Sequence, residues 1–344
     1  MNPTAALLIT SSLATGTILT ASSFHWLMAW IGLEINTLAI IPIISKQHHP
    51  RATEAAIKYF LTQTAASAMI LFSSTINAWQ SGTWDITQPT NSTSSILLTI
   101  AITTKLGLAP MHFWLPEVLQ GTTMTTALII STWQKLAPMA LIYLTANNLS
   151  APTLILMGAL STCVGGWGGI NQTQTRKIMA YSSIAHFGWM AAISPMLTNI
   201  MLLNLIIYTL MTTTMFTALI TTKSKTIQNM TTIGALSPAL TTMTLLTLLS
   251  LAGLPPLSGF VPKWLIINEL IHQNLIITTA LMTMSTLLSL FFYLRLTYTT
   301  TLTLAPNTPN TTYKWRLTPT TSILTTSTIP MTLMTLPITP ILTQ

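Results

Sequence analysis

The chain has 344 residues, half of them apolar, and its 13 Lys and Arg with 5 Asp and Glu make up only 5% of the sequence. A water-soluble domain carries about 25% charged residues, and disorder needs low hydrophobicity with high charge. Both are excluded, and the mean hydropathy of +0.61 leaves an integral membrane protein. The net charge of +8 comes from scattered basic residues with no cluster to bind nucleic acid, and the single cysteine, Cys163, rules out a disulfide framework within the chain.

Lipid admits only helices and closed barrels, and the apolar runs here have the length of membrane helices, roughly 20 residues. They predict an all-α polytopic membrane protein, one membrane domain over 1–344, with eleven spans: 3–22, 24–44, 56–79, 95–116, 122–145, 152–170, 177–195, 198–221, 237–271, 274–296 and 320–341. Residues 1–22 lack a basic leader and a cleavage site and read as the first membrane helix. Loops that stay on the side of synthesis are enriched in Lys and Arg. Lys46 and Arg51, Arg176 and Lys177, Lys223 and Lys225, and Lys314 and Arg316 all follow even-numbered spans, with Lys58 and Arg295 near helix ends on the same side. The loops around 80–94, 146–151, 196–197 and 272–273 hold no Lys or Arg. The pattern predicts an N-terminus on the positive side and a C-terminus on the other.

The fourth and ninth runs contain breakers: Pro110 and Pro116 in one, Pro255, Pro256, Gly259 and Pro262 in the other. Each is fourth in a group of five, and units with an odd number of spans enter the membrane in opposite directions. This predicts two inverted five-helix repeats, 3–145 with its broken helix at 95–116 and 152–296 with its broken helix at 237–271. A connection at 297–319 and a last helix at 320–341 follow. Paired interrupted helices in inverted halves point to an ion or substrate site.

Glu34, Lys105, Lys135 and Lys263 lie inside apolar runs, and a charge there costs on the order of 3 kcal/mol and usually marks an ion or proton path. At about 1.5 Å per residue, these four and His186 fall roughly half-way through their spans, at one level. Lysine suits proton transfer in such a place because burial disfavours the charged form and a nearby carboxylate restores it; histidine titrates close to neutrality. Static ion pairing between helices is the alternative. Lys58 follows Glu54 by one turn, the favoured order for a surface pair. His112 and Trp114 flank the first break, and Glu117 reads as an interfacial charge. His25, His48, His49 and His272 read as solvated, and the 19 methionines as packing. No dinucleotide turn, phosphate loop or cysteine set for an iron–sulfur cluster is present, so the chain alone is expected to bind no cofactor and no metal.

The stretches GLEINTLAIIP (Gly32 to Pro42), EAAIKYFLTQTAASA (Glu54 to Ala68), KLGLAPMHFWLPE (Lys105 to Glu117), RKIMAYSSIAHFG (Arg176 to Gly188) and GLPPLSGFVPKW (Gly253 to Trp264) resemble the antiporter-like membrane subunits of mitochondrial NADH:ubiquinone oxidoreductase, respiratory complex I. The resemblance covers essentially the whole chain, and the wider family includes subunits of cation/proton antiporters. It implies a proton-translocating membrane-arm subunit of two inverted five-helix units. Glu34 matches the family's midspan glutamate and Lys58 a lysine that works beside it. Lys105 matches the lysine of the first broken helix, Lys135 the connecting lysine, and Lys263 the charged residue of the second broken helix, while His186 falls in the segment joining the halves. The chain starts three helices later than the bacterial members and lacks the lateral helix of the most distal member. NADH, FMN, iron–sulfur clusters and ubiquinone are expected on other subunits. Its partners are expected to be those membrane-arm subunits and lipid, with no nucleic acid and no homo-oligomer. The location expected is the mitochondrial inner membrane, N-terminus in the matrix and C-terminus in the intermembrane space. A scaffold without a proton path and a subunit of a cation/proton antiporter are the alternative readings.

Overall fold

A computed structural model of the chain describes residues 2–46, 48–88, 91–231, 238–303 and 323–343. Among these the regular structure is helical, in fifteen elements: α1 Pro3–Ala21, α2 Trp26–Ser45, α3 Pro50–Ser81, α4 Ser92–Leu106, α5 Trp114–Gly121, α6 Met124–Ser131, α7 Trp133–Thr145, α8 Ala151–Ile170, α9 Thr175–Ile193, α10 Thr198–Thr222, α11 Ile227–Met230, α12 Pro238–Ala252, α13 Phe260–His272, α14 Ile276–Thr301 and α15 Ile323–Thr343. Seven helical stretches are long and apolar enough to cross a membrane: α1, α2, α3, α6 with α7, α8, α10 and α14. The fourth and ninth runs are broken, as their prolines require. The fifth is broken too, at Thr132, where a continuous helix was expected. There the Ser131 and Thr132 hydroxyls both donate to the Leu128 carbonyl, and Pro138 has no N–H to offer the Gln134 carbonyl. The connection expected at 297–319 lies, from residue 304 on, outside the described residues, as do Lys314 and Arg316.

Threonine is tolerated in these helices because its hydroxyl returns to the carbonyl three or four residues back, as Thr37 does to Glu34 and Thr212 to Tyr208. The polar group is thereby satisfied within its own helix and leaves the apolar surface intact. Helix starts are made by prolines at the first position, Pro3 and Pro50, and by two histidines. His25 and His49, expected to be solvated, each accept a bond from a main-chain N–H in the first turn, of Leu27 and Arg51.

The chain divides into two compact units, Met1–Ser161 with Met190–Thr198, and Thr162–Trp189 with Asn199–Gln344. In the first, α1 lies so close on α2 that a Cβ at Gly16 would stand 2.9 Å from the Gly32 carbonyl oxygen. α3 packs against α2, α4 and α5, while α7 contacts α1, α2 and α4. Three loops without Lys or Arg are joined at one end of this unit. Trp26 N–H donates to the Trp84 carbonyl, Ile86 N–H to that of Phe24, and the Asn148 amide to those of Ile86 and Gln88. That agrees with the even number of spans expected between these loops.

In the second unit the run Gly165-Gly166-Trp167-Gly168-Gly169 lets α8 be approached on two faces. A Cβ at Gly165 would meet the Ala185 nitrogen of α9 at 2.7 Å, and one at Gly166 the Ser285 carbonyl oxygen of α14 at 2.8 Å. The basic loops after α8 and α10 are joined here. Thr175 N–H donates to the Lys225 carbonyl and Ile227 N–H to that of Thr173. Arg295 of α14 donates to the carbonyls of Ile170 and Gln172, closing the last turn of α8 with a cation.

Candidate functional site

In the first unit the chain breaks after Lys105 and Leu106, at Gly107, which adopts the left-handed conformation (φ +72°) and returns its N–H to the carbonyls of Thr103 and Thr104. Leu108 N–H adds a bond to Thr103. The helix resumes at Trp114. The break leaves the Leu106 carbonyl without a helical partner, and the Lys135 ammonium, brought in by α7, donates to it at 2.5 Å. The same ammonium lies 4.9 Å from the centre of the Trp114 ring, a cation–π contact. Trp114 is fixed in turn by a bond from Nε1 to the Thr104 carbonyl and by an edge contact with Tyr59.

Lys105 and Lys135 are both buried, 4% and 1% exposed, and they share a small cavity of about 10 Å³ with Asn36, Tyr59, Gln63 and Gln134. Nζ of Lys105 has no hydrogen-bond acceptor among the described residues. Glu34, half-buried on α2, accepts from the Thr37 hydroxyl at 3.2 Å, and its charge acts on both Lys105 and Tyr59. An amide relay lines the wall: Tyr59 OH donates to Gln134, whose amide donates to Asn36, and Gln63 donates to the Lys105 carbonyl. Tyr59 and Gln63 are i and i+4 on α3. Such polar side chains one turn apart inside an apolar run were the available signal for this wall, and the sequence reading missed them.

Lys58 points elsewhere. Its ammonium is 2.5 Å from Glu54 and 2.7 Å from Glu117, and no ion pair joins it to Glu34 among the described residues. His112 is buried in the break, its ring against Phe113 and Nδ1 at 3.0 Å from the Pro110 carbonyl oxygen.

The second unit breaks in the same way. Gly253 (φ +86°) ends α12, with bonds to the Leu249 and Ser250 carbonyls, and α13 begins at Phe260. The Lys263 ammonium donates to the carbonyls of Ala252 at 2.9 Å and Leu251 at 3.3 Å, which Pro256 and Pro255 leave without a helical N–H. Lys263 and His186 line one small cavity of about 10 Å³ with Trp189, Ser285, Ser289 and Tyr293, and the His186 ring packs on Tyr208. Each unit therefore holds a lysine ammonium at the C-terminal end of an interrupted helix, where carbonyl dipoles favour a cation, beside a small polar cavity; Lys135 is buried in the first unit and Lys263 is half-buried in the second. The described residues contain no group of three His, Cys, Asp or Glu side chains that could hold a metal ion.

A family model described as NADH:quinone oxidoreductase/Mrp antiporter, TM, matches residues 23–289, and one for the C-terminus of NADH dehydrogenase subunit 2 matches 290–343. The chain is 56% identical to the NADH-ubiquinone oxidoreductase chain 2 of Xenopus laevis over 316 residues, 92% of each chain. It is also 56% identical to the protein of that name from Salmo salar over 349 residues, 100% of this chain and 99% of the other. Among solved structures, a chain of respiratory complex I from Thermus thermophilus with bound aureothin aligns with a TM-score of 0.84 and 26% identity, covering 97% of this chain and 78% of that one. The chain thus belongs to the antiporter-like membrane subunits of the NADH:quinone oxidoreductases and, within them, to the subunit 2 family.

Proposed function

We propose that the chain supplies a proton path to the membrane arm of a proton-pumping NADH:ubiquinone oxidoreductase, carried by Glu34, Lys58, Lys105, Lys135, His186 and Lys263. One observation carries the reading: Lys105 and Lys135 are buried together on a polar cavity, with Lys105 within reach of the Glu34 charge. Charges buried in a membrane protein are costly and are kept where ions or protons move. Glu34 acts as the electrostatic gate of Lys105, and protons pass from Lys105 by way of Lys135 and His186 to Lys263. The first cavity combines lysine with hydroxyl and amide groups and the second combines it with hydroxyls and an imidazole, all able to pass a proton along hydrogen bonds.

In this reading the chain has eleven spans in two inverted five-helix repeats with a last helix beyond them, and its N-terminus faces the matrix of mitochondria. NADH, FMN, iron–sulfur clusters and ubiquinone belong to other subunits of the complex. This chain contributes assembly contacts and the proton path alone, among membrane-arm subunits and lipid.

A second reading, a membrane scaffold with no proton path, is favoured by one observation: Lys135 and Lys263 are held by main-chain carbonyls, as static caps would be. Purification of the native particle in mild detergent tests the assignment to the complex. Co-migration of the chain with NADH:ubiquinone reductase activity, flavin and iron–sulfur centres is the expected result. A particle free of redox centres that exchanges cations for protons overturns it in favour of an antiporter.

A further inference from the structure

The two breaks share one register. Gly107-Leu108-Ala109-Pro110 and Gly253-Leu254-Pro255-Pro256 open them, the helix resumes seven residues after the glycine at Trp114 and Phe260, and a proline follows at Pro116 and Pro262. Counted from the glycine, Glu117 of the first break occupies the position of Lys263 in the second. Likewise the carbonyl of Leu106 corresponds to that of Ala252, and both accept from a lysine ammonium. A carboxylate has no proton to give to a main-chain carbonyl, so a residue such as Glu117 cannot cap as Lys263 does. In the first unit Lys135 caps instead, and Glu117 is turned to Lys58.

We propose that Glu117, with Lys58 and Glu54, is the group through which protons enter the cavity of the first unit. This rests on the proton-path reading above. Two carboxylates share one ammonium here, giving the cluster a net negative charge. It can take a proton from the aqueous phase onto the Glu117 carboxylate, with Lys58 then held by Glu54 alone, and become neutral without stranding a charge. The three side chains are 49%, 41% and 61% exposed on the surface of the chain. The same helices wall the cavity: Tyr59 follows Lys58 on α3, and Trp114 precedes Glu117 by one turn on α5. The charges facing Glu117 belong to α3, the helix packed on α5: Lys58 in contact, Glu54 across it, and Arg51, which acts on Glu54 and whose carbonyl oxygen lies 2.6 Å from where a Cβ on Gly121 would stand.

The test is the proton-to-electron ratio and the pH profile of pumping in sealed vesicles of the assembled enzyme, with Lys105→Ala as reference. Glu117→Gln is expected to lower the ratio, and Glu117→Asp to recover it with a displaced pH profile, because the shorter carboxylate stands off from Lys58. A wild-type ratio and profile in Glu117→Gln, beside a lowered ratio in Lys105→Ala, overturns the entry role while leaving the path. A wild-type ratio in both variants overturns the path and the entry role with it. If Glu117→Gln fails to assemble, Glu117→Asp decides: a displaced profile supports the role and a wild-type profile overturns it.

Discussion

Lys105 and Lys135 line one cavity but are held differently, and the difference separates their expected roles. The Lys135 ammonium satisfies the carbonyl left open at Leu106, and a buried polar group that loses its partner costs about 1–3 kcal/mol. Nζ of Lys105 has no acceptor among the described residues, so its removal strands no main-chain group. Lys135→Ala is therefore expected to reduce both the amount of assembled complex on native gels and its pumping, and Lys105→Ala to reduce pumping with assembly largely retained. Equal losses of assembly would contradict the distinction. The lysines themselves were legible, since a charge in an apolar run stands out in any sequence. Their partners were not. The Glu54–Lys58 pair follows from helical spacing, but the bond from Lys58 to Glu117 crosses 59 positions of sequence, and the capping roles of His25 and His49 depend on backbone angles that composition does not reveal.

At the level of the element, the glycines at the breaks decide where the lysines lie. Gly82, Gly107 and Gly253 all have positive φ, which costs a residue with a Cβ about 1–2 kcal/mol. They differ in surroundings: nothing lies within 4 Å of a Cβ at Gly82, whereas one at Gly253 would stand 2.9 Å from the Lys263 ammonium and 3.0 Å from its Cδ. Gly253→Ala is expected to displace Lys263 and lower the proton-to-electron ratio, and Gly82→Ala to lower thermal stability only; pumping assays on both variants check this, and an unimpaired Gly253→Ala would contradict it. The prolines made the two broken helices visible in the sequence. The third break, at Thr132, was not visible, because hydroxyl groups that bond back to carbonyls recur along the helices, for the most part without an interruption.

Across the whole molecule, the distribution of basic loops predicts a sidedness, and within each unit neutral loops meet neutral loops and basic loops meet basic ones. In a Cys163→Ser background, Asn147→Cys is expected to react with an impermeant thiol reagent from the intermembrane space and Lys225→Cys from the matrix; both residues are exposed. The reverse labelling would contradict the orientation. The division after Ser161 falls inside α8, where the sequence has no linker to mark it, since a helix shared between units carries the same apolar pattern throughout. Proton carriage by the membrane lysines is tested by the proton-to-electron ratio of the assembled enzyme in sealed vesicles, compared between wild type, Lys105→Ala and Lys263→Ala. A lowered ratio, or turnover stalled where coupling is strict, is the predicted result; wild-type turnover at a wild-type ratio in both variants would contradict it.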